Sequence, residues 1–338
     1  MSDHRRRFAV ALPAKDEADH LPACLAALDA AAARFDGQVS IMVVANNCRD
    51  SSHALLAETR LRYADLYWTA VSLLPEHAHA GWARRIAFDA AAGLLSAPGD
   101  ILLSTDADTD VSPDWIRRAV AHLDRGADAV AGRALTRRSE RGQLGVEAAR
   151  RLNLLGRYYV ALDWLRSDRA PAADDPWPRH YYEGGASIAL RLETYRLIGG
   201  APTPPLAEDR ALFAAVRAAG GVVRHPLDVR VFTSSRLAGR APGGMADAFA
   251  RWITQGETEP LHETYAFPAA LDPERAGPAD QLSFATLSAA VAQAGAMIRS
   301  RRSRAAPQVE AIALTTSLAQ RLDIVPEQGL EPVDRLVT

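Results

Sequence analysis

The sequence predicts an α/β fold: a mostly parallel central sheet with helices on both faces. Short apolar runs at Phe8–Pro13, Val39–Ala45, within Leu66–Leu74, from Ile101 and at Ala127–Gly132 alternate with helical stretches of roughly 10 to 15 residues. Several of these runs stop abruptly in polar or acidic residues, as buried strands do where open sheets bind ligands. A chain of 338 residues, 48% hydrophobic and 24% charged, is long enough for a substantial core in one large domain or two modest ones.

Taken in order, Phe8–Pro13 is a first strand closed by proline, and Ala14-Lys15-Asp16-Glu17 turns into a helix running to about Arg34. Val39–Ala45 is a second strand ending in Asn46-Asn47-Cys48-Arg49-Asp50-Ser51-Ser52, a turn cluster in which Ser51 or Ser52 is expected to cap the next helix. A third strand lies within Leu66–Leu74, followed by His79-Ala80-Gly81-Trp82-Ala83-Arg84-Arg85 and a helix to about Ser96. The fourth strand begins at Ile101 and runs into Asp106, Asp108 and Asp110. Pro113-Asp114-Trp115 opens the next helix, with proline in its first turn and Asp110 expected as its cap. Ala127–Gly132 is the fifth strand.

After about Arg133 the alternation stops. Gln143–Leu165 reads as a long helix carrying Tyr158, Tyr159 and Trp164, and a polar, proline-rich loop follows over Asp168–His180. Gly184-Gly185 precedes an apolar run, and Glu208-Asp209 opens a helix that ends at Gly220-Gly221. Val222–Phe232 is a strand interrupted at Pro226, and helices are expected at Gln281–Arg302 and Pro307–Leu322.

A net charge of −2 carries no signature of nucleic-acid or anionic-membrane binding. Lys15 is the only lysine, which disfavours any mechanism that needs one elsewhere. Cys24 and Cys48 have neither metal-ligand spacing nor the density of a disulfide scaffold. No stretch approaches ~18 to 20 uninterrupted apolar residues, and the N-terminus lacks the apolar segment of a signal peptide. A cytoplasmic location is expected, with peripheral membrane contact and a homodimer left open.

The chemistry concentrates in Ser104-Thr105-Asp106-Ala107-Asp108-Thr109-Asp110. Neighbouring carboxylates repel one another, and a hard divalent cation with oxygen ligands relieves that repulsion, with Mg²⁺ typically completing its shell from substrate phosphate. A solvated acidic turn is the alternative. A haloacid-dehalogenase phosphatase would need Thr or Val where Asp110 stands, and a downstream lysine. A P-loop nucleotidase would need its lysine in a glycine-rich loop, and a dinucleotide-binding dehydrogenase a G-x-G-x-x-G after the first strand. A sugar-nucleotide pyrophosphorylase would need a glycine-rich loop where Pro13-Ala14-Lys15-Asp16 stands.

Five motifs in order, Leu12-Pro13-Ala14-Lys15-Asp16-Glu17, Val43–Ser51, Thr105–Thr109, Gly184-Gly185-Ala186-Ser187 and Glu208-Asp209, resemble those of family 2 nucleotide-sugar glycosyltransferases across roughly residues 8 to 240. The resemblance implies the Rossmann-like GT-A fold. It implies one domain over residues 1–255, with a nucleotide-binding part at about 8–133 and an acceptor-side part at about 134–255, and a mainly helical extension over 256–338. It implies transfer from a UDP- or GDP-linked sugar to an acceptor hydroxyl with inversion, helped by Mg²⁺ or Mn²⁺. A catalytically silent relative that only binds nucleotide sugar or glycan is the non-enzyme alternative.

By the same resemblance, Asp108 and Asp106 are the metal ligands, with Asp106 and Ala107 also at the donor. Pro13, Ala14, Glu17 and Asn46 hold the nucleoside, Arg84 lies near the diphosphate, and Gly185 lets backbone approach the sugar or acceptor. The family also places its base at Asp209, with Glu208 beside it; Arg236 and Arg240, read from their own chemistry, are placed to reach the diphosphate from a loop, with a surface role as the alternative. Ala45 and Asn46 stand where the family commonly has aspartates, which leaves the base identity open. His225 is a weaker metal-ligand candidate. Tyr158, Tyr159, Tyr181 and Tyr182 are candidate acceptor walls. Arg251-Trp252 lacks the glutamine that precedes this pair in processive relatives, Ala248 standing in its place, which argues for single transfer.

Overall fold

The computed structural model of the chain describes residues 6–141, 144–237, 239, 244–261 and 282–305. The helix expected at Pro307–Leu322 and residue Arg240 lie outside the described residues. In order the elements are β1 (Phe8–Ala14), α1 (Leu21–Ala32), β2 (Val39–Asn46), α2 (Ser52–Glu58), β3 (Asp65–Val71), α3 (Ala80–Ala92), β4 (Ile101–Ser104), β5 (Thr109–Val111), α4 (Trp115–Asp124), β6 (Ala129–Ala131), β7 (Arg133–Thr136), α5 (Arg138–Arg141), α6 (Val146–Arg169), β8 (Ile188–Arg191), α7 (Leu192–Leu197), α8 (Glu208–Ala218), β9 (Val223–Arg224), β10 (Arg230–Thr233), α9 (Met245–Thr254) and α10 (Phe284–Ala305).

The main sheet runs β3-β2-β1-β4-β8-β6-β9. Its pairings are parallel except where β8 lies antiparallel between β4 and β6. β1 shows why the sheet is central. Its alternate residues point to opposite faces, so Phe8, Val10 and Leu12 join Leu21, Leu25, Leu28 and Trp115 on one side. Ala9 and Ala11 join Ala87, Phe88 and Ala91 of α3 on the other. Large side chains fill the α1 and α4 side, while the small ones let α3 approach closely. Each fully buried leucine here is worth roughly 1.5–3 kcal/mol relative to exposure.

Three local expectations change. Ser51 occupies the N-cap position of α2 without a side-chain cap bond; Ser52 Oγ instead accepts from the Glu17 amide at 3.2 Å. Asp110 does not cap α4, whose N-cap position is Asp114. It lies in β5 and its two oxygens accept from Arg137 Nε and Nη2 at 2.7 and 2.9 Å, a bidentate pair stronger than a cap bond at an exposed helix end. The strand expected over Val222–Phe232 breaks around Pro226 into β9, on the main sheet, and β10, which forms a second sheet with β5 and β7.

The chain groups into two compact units, Met1–Glu140 with Ala173–Ala248, and Arg141–Ala172 with Phe249–Thr338. Both sheets belong to the first. In the second, Arg151 of α6 is buried; it donates to the Trp252 and Gln255 carbonyls, pairs with Glu257 and lies over the Phe284 ring. Tyr158, expected as an acceptor wall, is fully buried in this unit. Its ring fills core volume and offers no face to a ligand. No helix among the described residues is long and apolar enough to cross a membrane.

Candidate donor and base site

The site lies at the carboxyl ends of β1, β2 and β4. Register sets Pro13 and Ala14 of β1 opposite Val44 and Ala45 of β2, so Asn46 follows directly beside them and is itself buried. Ser104 ends β4 opposite Ala11, which launches Thr105–Asp108 from the same edge. Ala107 is buried in the core and anchors the motif between its two acids. Thr105 Oγ1 donates to the Ala186 carbonyl at 2.7 Å, and Trp115 Nε1 donates to Ser187 Oγ at 2.8 Å. The first bond ties the acidic motif, and the second ties α4, to the Gly184-Gly185-Ala186-Ser187 segment.

Arg84, 6% exposed, is the hub. Its Nη2 donates to Asp106 Oδ1 at 2.9 Å, Nε to Glu208 Oε1 at 3.2 Å, and Nη1 to the Gly185 carbonyl at 3.0 Å and Ser104 Oγ at 3.3 Å. Burial would lower its pKa, but the Asp106 and Glu208 charges outweigh burial and hold the guanidinium above the usual arginine range. Gly185 is required by this contact, since a Cβ there would sit 2.0 Å from Arg84 Nη2. The Gly185 amide in turn donates to Asp209 Oδ2 at 2.9 Å, while Asp209 Oδ1 accepts from the Arg210 amide at 2.7 Å. Burial, then the Glu208 charge, push Asp209 above the usual carboxylate range, with Arg84 opposing. Ala207, just before α8, has a left-handed φ of 59°, which turns the chain sharply into the helix that starts with these two acids.

A second arginine closes the other side. Arg236, three residues after β10, donates from Nη1 and Nη2 to the two Glu17 oxygens at 2.8 and 2.6 Å, and its Nη2 lies 3.0 Å from Asp108 Oδ2. Glu17 is 5% exposed. Burial, followed by the Asp106 charge, pushes Asp108 up to about 6, against Arg236 and with His20 also facing it. Through Arg84 and Arg236 the carboxylates of Glu17, Asp106, Asp108, Glu208 and Asp209 are joined, five acids against two guanidiniums. That anionic surplus of hard oxygen donors fits a divalent cation.

Residues 9–166 match the family model described as Glycosyl transferase family 2. Over those residues the chain is similar to family 2 glycosyltransferases. A curated relative, undecaprenyl-phosphate 4-deoxy-4-formamido-L-arabinose transferase of Klebsiella pneumoniae subsp. pneumoniae, is 30% identical over 125 residues, covering 37% of this chain and 36% of that protein. The chain therefore spans about a third of the length of that relative. Among solved structures, S. aureus TarS in complex with UDP-GlcNAc is similar at 15% identity and a TM-score of 0.49, covering 95% of this chain and 82% of that one. The mannosyltransferase PcManGT from Pyrobaculum calidifontis, in complex with GDP-Man and Mn²⁺, is similar at 18% identity and a TM-score of 0.46, covering 94% and 80%.

Several candidates stand away from the hub. Arg85 pairs with Asp89 at 2.6 Å and donates to the Ala201 carbonyl. Asn47, at φ 52°, accepts from the Leu73 amide and donates to its carbonyl, a turn clasp between the segments after β2 and β3. His225, a weaker metal-ligand candidate, does not meet Asp106 or Asp108: its ring nitrogens lie against Asp175 and Glu183. One grouping had no sequence signal, because its members come from two turns. Asp16, Cys48 and Asp50 place donor atoms within 4.8 Å of one another. Their carboxylates accept from the Arg49, Ala18 and Ser52 amides, which makes the group a clasp between the turns after β1 and β2.

Proposed function

We propose that the chain is a metal-dependent, inverting glycosyltransferase that moves a hexosyl group from a UDP- or GDP-linked sugar to an acceptor hydroxyl by single displacement. The observation that carries this reading is the position of Arg84. It bonds Asp106 of the first acidic motif and Glu208 of the second, so two motifs a hundred residues apart serve one reaction centre.

Asp209 is the base. A carboxylate held by two backbone amides keeps one geometry, and its partial burial strengthens it as a proton acceptor. It takes the acceptor hydroxyl's proton as that oxygen attacks the anomeric carbon from the face opposite the leaving diphosphate. Such attack inverts the centre through an oxocarbenium-like transition state. Glu208 keeps Arg84 in place beside it. Glu17 and Asn46, with Pro13 and Ala14, line the nucleoside end at the tips of β1 and β2. Mg²⁺ or Mn²⁺ held by Asp106 and Asp108 would supply Lewis-acid stabilisation of the leaving phosphate. Arg236, released from Glu17 and Asp108, supplies a bidentate donor for the diphosphate.

Thermal unfolding with UDP, GDP and other nucleotides, with and without Mn²⁺, followed by donor-hydrolysis and transfer assays, tests the reading. Stabilisation that requires both nucleotide and metal is expected, about 2.7 kcal/mol at a hundredfold excess over Kd. No metal-dependent stabilisation by any nucleotide would contradict the donor site. Binding without turnover of any donor would favour the silent relative.

A further inference from the structure

Beside the reaction centre, five charged side chains form a line of alternating sign. Arg217, in the last turn of α8, donates from Nη1 and Nη2 to Glu183 Oε1 at 2.7 and 2.6 Å. His225 Nε2 lies 3.0 Å from the same oxygen, and His225 Nδ1 lies 2.8 Å from Asp175 Oδ2. That Asp175 oxygen also accepts from Arg179 Nη1 at 2.8 Å, and Asp175 Oδ1 accepts from the His225 amide at 3.0 Å. Both ring nitrogens of His225 face carboxylate oxygens, which have no proton to give, so both nitrogens donate and the ring is an imidazolium. His180 meets the ring edge-on at 5.7 Å and Tyr181 stacks on it at 6.4 Å, with Arg133 acting on His180 in turn.

Glu183 stands two residues before Gly185, whose amide holds Asp209 and whose carbonyl holds Arg84. The Glu183–Gly185 strap is thus fastened to both ends of α8, at Asp209 and at Arg217. We propose that Glu183 and His225 are positioning residues for Asp209: the imidazolium and Arg217 anchor Glu183, Glu183 fixes the strap, and the strap aims the base. This rests on Asp209 being the base. Burial opposes protonation of His225, but its bonds to Asp175 and Glu183 outweigh burial and raise its pKa above the usual histidine value. The anchor is therefore complete below the ordinary histidine pKa and is lost as pH rises through the raised one.

The test compares kcat, donor KM and nucleotide affinity against pH for wild type, His225→Gln and Glu183→Gln, with long-range ¹⁵N–¹H spectra of the histidines. In wild type, kcat should fall on an alkaline limb while nucleotide affinity stays level. One ring should keep both protons to higher pH than the other histidines, and its signal should vanish in His225→Gln. That variant should lose the limb and roughly 10- to 100-fold in kcat, with nucleotide Kd within about twofold. Glu183→Gln, which keeps size and removes charge, should move the limb to lower pH; it also serves if His225→Gln fails to fold. A neutral His225 ring near pH 6 in wild type, or an unmoved limb in both variants, would overturn the proposal. Full transfer by Asp209→Asn would remove the base and the positioning role with it, whereas an inactive Asp209→Asn beside a wild-type-like His225→Gln would overturn the positioning alone.

Discussion

Replacing Gly185 by alanine puts a methyl carbon 2.0 Å from Arg84 Nη2 and 2.5 Å from its Cζ, where ordinary contact begins at 3.4 Å. One partner must move by more than an ångström. The tip of an exposed arginine would swing aside at little cost. Here the guanidinium is buried and committed to Asp106, Glu208, Ser104 and the Gly185 carbonyl, so each escape breaks a buried bond. If the strap yields instead, its amide leaves Asp209. Overpacking of this kind costs typically ~1–3 kcal/mol, and a 1 Å displacement at a reacting centre costs on the order of 10²-fold in rate. Denaturant unfolding should show that loss of stability, and steady-state transfer a fall in kcat larger than any change in nucleotide affinity. A Gly185→Ala protein with wild-type stability and kcat would refute the hub at Arg84.

Three further outcomes follow from the same geometry. Asp108→Asn should abolish the Mn²⁺-dependent part of nucleotide stabilisation, read by thermal shift, and chelation of the wild type should do the same reversibly. Arg236→Ala frees Glu17 and Asp108 of their internal cation. Nucleotide-free protein should then bind Mn²⁺ more tightly, read by the paramagnetic resonance of free Mn²⁺, while UDP or GDP affinity falls roughly tenfold for one lost charge-assisted bond; an unchanged Mn²⁺ affinity would contradict the contact. The base must be ionised to act, and burial raises Asp209. The acid limb of kcat/KM should therefore lie above the ordinary aspartate pKa, with activity falling as pH drops through it, and should disappear from the profile of whatever residual activity Asp209→Asn retains.

The first half of the main sheet was legible because its strands are apolar and their carboxyl ends are marked by Pro13, Asn46 and Asp106, within one or two residues of where pairing stops. α8 was legible at both ends, from Glu208-Asp209 and Gly220-Gly221. What escaped was short or distant. β5, β7 and β10 run three or four residues each, too few for a period to show, so the second sheet was invisible and Val222–Phe232 read as one strand. β8, three apolar residues and Arg191, carries nothing that tells antiparallel from parallel neighbours. The partners of charged groups were the least legible. Arg137 claims Asp110 from 27 residues away and Arg236 reaches Glu17 across 219, separations that only the tertiary fold closes. His225 offered a titratable ring without its neighbours, so metal ligation was as readable there as the pair of carboxylates that surrounds it.

The most direct test of the central claim is Asp209→Asn, measured for nucleotide binding and for sugar transfer in the same preparation. The substitution keeps side-chain shape and an oxygen for the Gly185 amide while removing the proton acceptor. Metal-dependent nucleotide affinity should stay within about twofold of wild type, while transfer falls by about 10²- to 10⁴-fold, the range that general-base catalysis contributes. Transfer at the wild-type rate would show that the acceptor is activated elsewhere.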